Sequence, residues 1–150
     1  MATFYGTSTY AIDDKNRIVI PASIRKVPGR KLPLSDFVLV GGLDGCLWLY
    51  ADEDWAHLEE RLRKLSTGRA KERQFARAFL VGASRVAVDA QGRITIPSSL
   101  MSRAGLGKEA VLHGQVGRIE LWSPDRFNEA VEPAQADLDA LGEDVLGGLG

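Results

Sequence analysis

The sequence predicts a mainly β protein with short helices, of the α+β class and built by duplication. Three observations carry that expectation. Residues 12–24 (Ile-Asp-Asp-Lys-Asn-Arg-Ile-Val-Ile-Pro-Ala-Ser-Ile) recur 76 positions later as Val-Asp-Ala-Gln-Gly-Arg-Ile-Thr-Ile-Pro-Ser-Ser-Leu. The apolar residues of these segments alternate with period two, the pattern of a strand with one buried face. Glycine-rich clusters then separate further alternating runs, as hairpin turns do.

Each repeat reads as strand, turn, strand, short helix, hairpin and closing helix. In Arg17-Ile18-Val19-Ile20 the isoleucines share one face and Arg17 shares the other with Val19; Arg93-Ile94-Thr95-Ile96 repeats this, so both arginines face away from a core that holds the isoleucines. Pro21 and Pro97 end the strands, because proline lacks the ladder donor and suits a first helical turn. A short helix is expected from Ser99 to Ala104, with Gly105 as its stop.

The second half of each unit also matches. Gly42-x-x-Gly45-x-Leu47-x-Leu49-Tyr50 followed by Trp55 parallels Gly114-x-x-Gly117-x-Ile119-x-Leu121-Trp122 followed by Phe127, at an offset of 72. The four-residue difference falls on the Pro/Gly/Lys-rich segment 27–36, shortened in the second copy as a surface loop tolerates. Asp52 and Ser123-Pro124 are helix-start signals. Trp55, Leu58, Leu62 and Leu65 form an apolar stripe for one helix ending at residues 66–68, and a second helix from about Arg69 to Leu80 buries Phe75 and Phe79. Beyond Val131 the chain is acidic and expected to be mobile or weakly helical. The resulting organisation is a first repeat at 4–52, a helical linker at 53–81, a second repeat at 82–126, and a C-terminal helix with a flexible acidic tail at 127–150.

At 150 residues and 16.3 kDa, with 45% hydrophobic and 26% charged residues, the chain is a soluble globular domain, too short for separate cofactor and substrate modules. A single cysteine, a polar start and a longest apolar run of only residues 46–51 point to a reducing, cytoplasmic setting without a membrane span. The net charge of −1 conceals an asymmetry. Six of the 20 acids and none of the 19 bases lie from residue 127 onward, leaving the body at +5. Nine bases and two acids between Arg61 and Arg93 make that stretch alone +7, the footprint of a phosphate-binding surface, although a solvated helix face gives the same count.

Reactive groups do not converge. Cys46 sits in an apolar run as a core thiol does, His57 and His113 share no ligand spacing, the adjacent Asp13 and Asp14 point apart, and no phosphate loop, nucleophile elbow or dinucleotide fingerprint occurs. Neither an enzyme nor a metal or other cofactor is expected.

The informative motif is Asp-x-x-x-Arg, present as Asp13…Arg17 and Asp89…Arg93. One reading is structural, an aspartate that accepts turn N–H groups and pairs with the arginine. The other is functional: an arginine at the tip of an exposed two-stranded ribbon enters a DNA major groove and bonds guanine O6 and N7, Lys15 holds phosphate, and Asp13 and Asp89 orient the arms. Two such ribbons on one body would give paired contacts. Arg85 and the basic linker would gather further phosphates. An oligomeric antitoxin-like or scaffolding module, whose basic stripe meets the acidic tail of another copy, is the alternative.

The two copies resemble the AbrB-type swapped-hairpin repeat, and their arrangement is similar to the MraZ family of bacterial transcriptional regulators. The resemblance runs from Phe4-x-Gly6 through Asp13-x-Lys15-x-Arg17-x-x-Ile20-Pro21-Ala22, residues 45–50 and Arg77-x-Phe79-x-x-Gly82-Ala83 to Asp89-x-Gln91-Gly92-Arg93-Ile94-x-Ile96-Pro97. It implies a pseudo-dimeric β-barrel of two AbrB-like units and a ring-shaped homo-oligomer, an octamer or larger. It also implies nucleoid-associated binding to repeated double-stranded DNA sites upstream of the family's own division and cell-wall gene cluster. Arg17 and Arg93 take the DNA-contacting role by motif match. Two positions depart from the pattern. Asn16 replaces the glycine kept at Gly92, and Met101 replaces the basic residue kept at Arg25, an implied phosphate contact.

Overall fold

The computed structural model describes residues 2–147. The strands are β1 (Thr7–Ala11), β2 (Arg17–Val19), β3 (Asp36–Gly41), β4 (Leu47–Ala51), β5 (Ser84–Ala87), β6 (Arg93–Thr95), β7 (Glu109–Gly114) and β8 (Ile119–Trp122). The helices are α1 (Ala22–Arg25), α2 (Asp52–Ser66), α3 (Ala70–Leu80), α4 (Ser98–Ala104), α5 (Pro124–Ala136) and α6 (Leu138–Leu146).

The strand order β1-β7-β8-β4-β3-β5 in the six-stranded antiparallel sheet is a palindrome of the two repeats, and β2 pairs with β6 in a second sheet. Each repeat thus lends its first strand to the other's hairpin. Ile18 faces its own repeat equivalent Ile94 in the β2/β6 ladder, and Trp48 faces its equivalent Glu120 in the β4/β8 ladder, so a pseudo-two-fold axis passes through both pairs. Ile18, Ile20, Ile94 and Ile96 close the small sheet onto the large one, sharing a core with Phe37, Leu39, Leu47, Leu49, Leu112, Ile119 and Leu121. Full burial of each such side chain contributes roughly 1.5–3 kcal/mol, which is why the isoleucine parity fixes the register.

The structure refines several details of the sequence reading. Gly41, not Gly42, occupies the ladder position of Gly114: Gly41 pairs with Leu47 as Gly114 pairs with Ile119, so the first hairpin turn is one residue longer. In the second hairpin the left-handed residue is Val116 (φ 65°) rather than Gly117. Asp52 is the first residue of α2, one position inside its cap at Ala51.

The outer faces of the hairpins are covered by helices. Val38 and Val40 pack beneath Trp55 and Leu62 of α2 and Phe79 of α3, while Val111 and Trp122 pack against Phe127 of α5. Phe75 differs from expectation: it is 41% exposed and only stacks on Phe79, because the α2 stripe already fills the space over β3 and β4. The C-terminal segment is helical. Ser123 Oγ accepts the Arg126 N–H at 3.2 Å and Pro124 occupies the first turn, starting α5, which is followed by α6 to residue 146. Residues 148–150 of the acidic tail lie outside the described residues.

Candidate nucleic-acid interface

The two Asp-x-x-x-Arg segments fold into near-identical turns. Asp13 Oδ1 accepts the N–H groups of Lys15 and Arg17, each at 2.9 Å, and Asp89 Oδ1 accepts those of Gln91 and Arg93, also at 2.9 Å. Aspartate suits this position because its short carboxylate reaches N–H groups two residues on. The fourth residue of each turn is left-handed, Asn16 at φ 60° and Gly92 at φ 81°; asparagine is among the few side chains that tolerate this region, so the first turn keeps its shape. The ladder then resumes with the Asp13 N–H bonded to the Arg17 carbonyl at 3.0 Å and the Asp89 N–H to that of Arg93 at 2.8 Å.

The second carboxylate oxygen holds the guanidinium. Arg17 Nε donates to Asp13 Oδ2 at 2.7 Å and Arg93 Nε to Asp89 Oδ2 at 2.9 Å. Each carboxyl is held below the ordinary aspartate value, first by the arginine backbone N–H and then, against a desolvation effect that raises it, by the arginine side chain. Nε being engaged, the terminal Nη atoms are the donors each arginine can turn outward.

The turns are not the tips of separate ribbons. The strands flanking each turn enter different sheets, β1 pairing with β7 and β5 with β3 while β2 pairs with β6; beside the turn hydrogen bonds, an isolated Ile12–Ile18 bridge joins the strands of the first turn. The ribbon that exists runs between repeats. Its outer face presents Arg17, Val19, Arg93 and Thr95, with Val19 directly opposite Arg93 and Arg17 opposite Thr95. Asn16 and Gly92 carbonyls accept the Ile96 and Ile20 N–H groups at 2.8 Å, tying a turn to each end of the ribbon. Arg93 Nη1 reaches to 4.0 Å from Asp13 Oδ2, so the two arginines form one composite site. Their side chains are 28% and 25% exposed.

The other residues singled out in the sequence lie differently. Lys15 is exposed on its turn. Arg85 lies on edge strand β5, paired through Nη1 with Asp52 Oδ1 at 2.7 Å at the start of α2, not with the arginine cluster. Arg25 is a correction: it is buried, with Nε donating to the Ile20 carbonyl at 2.7 Å and Nη1 to the Leu34 carbonyl at 2.8 Å. A guanidinium consumed by buried carbonyls braces the loop after α1 and is withdrawn from phosphate contact.

At the other end of the pseudo-axis is a cluster that sequence reasoning missed. Arg118 lies 3.9 Å over the Trp48 ring and donates twice to Glu120 Oε2, whose other oxygen accepts Trp122 Nε1 at 3.0 Å. Its signal was the charged Arg118 and Glu120 alternating with Ile119 and Leu121 in an otherwise apolar strand, and its effect is to satisfy the one carboxylate that the β4/β8 ladder buries.

Burial pushes the Cys46 thiol up to about 12, far from a reactive thiolate. Both ring nitrogens of His113 are engaged, by Thr7 Oγ1 and Gln115 Oε1. Among the described residues no group of His, Cys, Asp and Glu side chains can hold a metal ion, and no helix is long and apolar enough to cross a membrane.

The composite arginine site lies on a duplicated unit, and comparison with known proteins matches both copies. The family model described as "MraZ protein, putative antitoxin-like" covers residues 3–78 and 79–146. The chain belongs to the MraZ family. It is 40% identical over 143 residues to the transcriptional regulator MraZ of Moorella thermoacetica, spanning 95% of this chain and 96% of that one. The protein of the same name from Clostridium acetobutylicum is 39% identical over 140 residues, 93% and 94% of the two chains. That of Natranaerobius thermophilus is 35% identical over 143 residues, 95% and 96%. The MraZ relatives therefore match nearly end to end, through the α5 and α6 region as well as the repeats.

Proposed function

We propose that this member of the family is a DNA-binding transcriptional regulator, not an enzyme, that reads operator sequence with Arg17 and Arg93. The observation carrying this reading is the β2/β6 ribbon, which sets two Nε-anchored guanidinium groups side by side on one exposed face. A two-stranded antiparallel ribbon fits the major groove, and two Nη donors of one arginine match guanine O6 and N7. Asp13 and Asp89 orient the arms, since anchoring Nε removes the rotamer freedom that a free arginine would lose on binding.

Residues 4–52 and 82–126 act as one reading unit, with 53–81 as helical linker and 127–150 as a C-terminal extension. The ribbon itself is electrically balanced: Lys15, Arg17 and Arg93 stand against Asp13, Asp14 and Asp89. Affinity consequently comes from repetition, Lys15 and Arg85 adding phosphate contacts while a ring-shaped homo-oligomer engages repeated promoter sites together. The sites lie upstream of the protein's own division and cell-wall gene cluster, which places its work in the cytoplasm on the nucleoid.

Fluorescence anisotropy with DNA from upstream of the gene and a scrambled control, across a salt series, tests this. Arg17→Ala and Arg93→Ala each lower affinity for the upstream DNA by roughly tenfold to a hundredfold, the loss of one bidentate base contact of about 1–3 kcal/mol, and leave the scrambled control nearly unchanged. Equal affinity of the wild type for both DNAs, or no effect of either substitution, would return the motif to a structural turn and bring the antitoxin-like or scaffolding reading forward.

A further inference from the structure

The C-terminal extension carries an amphipathic surface that the barrel does not use. α6 buries none of its residues. Leu138, Leu141 and Val145, spaced i, i+3 and i+7 on one helical face, are 64%, 41% and 69% exposed. Asp144 borders that stripe on one side and Asp139 lies beyond its other edge, while Glu143 is on the opposite face.

A surface of opposite charge lies on the linker. Leu65 and Phe75 line a groove where α2 gives way to α3, together with Arg69, Lys71 and Glu72. Arg69 and Lys71 are exposed, whereas the Glu72 carboxylate already accepts the Arg69 backbone N–H at 2.8 Å. From Arg61 to Arg77 the chain has seven bases and one acid, and from residue 127 onward it has six acids and no base.

We propose that the apolar stripe of α6 docks in the α2/α3 groove of a second copy of this chain. The proposal rests on the homo-oligomer reading above and names its contact. A helix laid in a groove by i, i+3 and i+7 anchors needs an apolar floor, which Leu65 and Phe75 supply. Asp144, beside the stripe, meets Arg69 and Lys71 on the rim, fixing the direction of the helix and speeding encounter. Stripe and groove are different patches of one chain, so the contact is heterologous: each copy offers a helix to one neighbour and a groove to the other, and the series closes as a ring where the rotation allows. DNA suits the basic rim but has nothing to place on Leu65 and Phe75.

The test uses two full-chain variants, one with a spoiled stripe (Leu141→Asp with Val145→Asp) and one with a spoiled groove (Arg69→Glu with Lys71→Glu), the second leaving the packed aromatics untouched. Circular dichroism checks that both fold, and light scattering over a concentration series reads assembly. Each variant alone self-associates at least about tenfold more weakly than the wild type. Mixed together, they form a discrete one-to-one complex, because one retains a groove and the other a stripe. Wild-type-like assembly of both variants overturns the docking while leaving the homo-oligomer reading intact. A wild type that stays monomeric throughout the series overturns both. Unchanged assembly with tighter binding of scrambled DNA by the stripe variant also overturns the proposal, since the acidic helices would then be shielding the basic surface instead.

Discussion

The two Asp-x-x-x-Arg turns carry the same five hydrogen bonds, within 0.2 Å of one another, on different local sequences. Asp-Asp-Lys-Asn-Arg and Asp-Ala-Gln-Gly-Arg share only their ends. An aspartate at the start, a residue that accepts positive φ in fourth place and an arginine at the end are therefore enough to build the turn. The surroundings diverge. Behind the first repeat Arg25 is spent on two buried carbonyls, and at the equivalent place in the second stands Met101, packed at the edge of the core. Geometry at the arginine-bearing surface is thus repeated where the support beneath it is not.

Arg25→Met, which makes the first repeat like the second, gives the largest effect. It strands the Ile20 and Leu34 carbonyls and lowers stability by about 1–3 kcal/mol in denaturant unfolding. The salt dependence of DNA binding stays unchanged, because Arg25 holds backbone and not phosphate; a shallower salt slope would restore it to the interface.

Gly92→Ala is next. A Cβ there meets only Arg25 Nη2 at 3.5 Å and the Ile20 carbonyl at 3.9 Å, so the cost is conformational, roughly 1–2 kcal/mol for an L-residue held left-handed. Gly92→Asn, which copies the first turn, costs less than Gly92→Ala in the same thermal melts. Equal losses would show that crowding and not backbone preference sets the cost.

The smallest effect is in pH. Asp13 and Asp89 both have depressed folded-state values, so their contribution to turn order is complete above the ordinary aspartate value of 3.8 and is lost as pH falls through the lower, folded value. Backbone amide shifts of Lys15, Arg17, Gln91 and Arg93 follow that loss. Arg93 Nη1 lies within 4.0 Å of the Asp13 carboxylate in addition to Arg17, so the first turn persists to lower pH than the second. Coincident transitions would mean that the cross-repeat contact is too screened to count.

Much of this was legible from local signals. Isoleucine parity placed Ile18, Ile20, Ile94 and Ile96 in the core, Gly105 ended α4 in the left-handed conformation at φ 63°, and Ser123 with Pro124 opened α5. What escaped were properties that depend on distant neighbours. Phe75 carries the same apolar signal as Phe79, and only the space left over β3 and β4 decides which is covered.

The sequence by itself determined the duplication, the turn chemistry and the inward face of each strand, because these follow from φ preferences, side-chain reach and period-two alternation within a few residues. Tertiary structure decided which strands pair and which arginines stay available. A strand's hydrogen-bonding edge is the same for any partner, so the exchange of β1 and β5 between repeats, and the β2/β6 pairing that joins two turns into one arginine site, are settled only by packing the shared core. A guanidinium likewise serves carbonyl or phosphate equally well, and the fold alone buried Arg25 and left Arg17 and Arg93 at the surface.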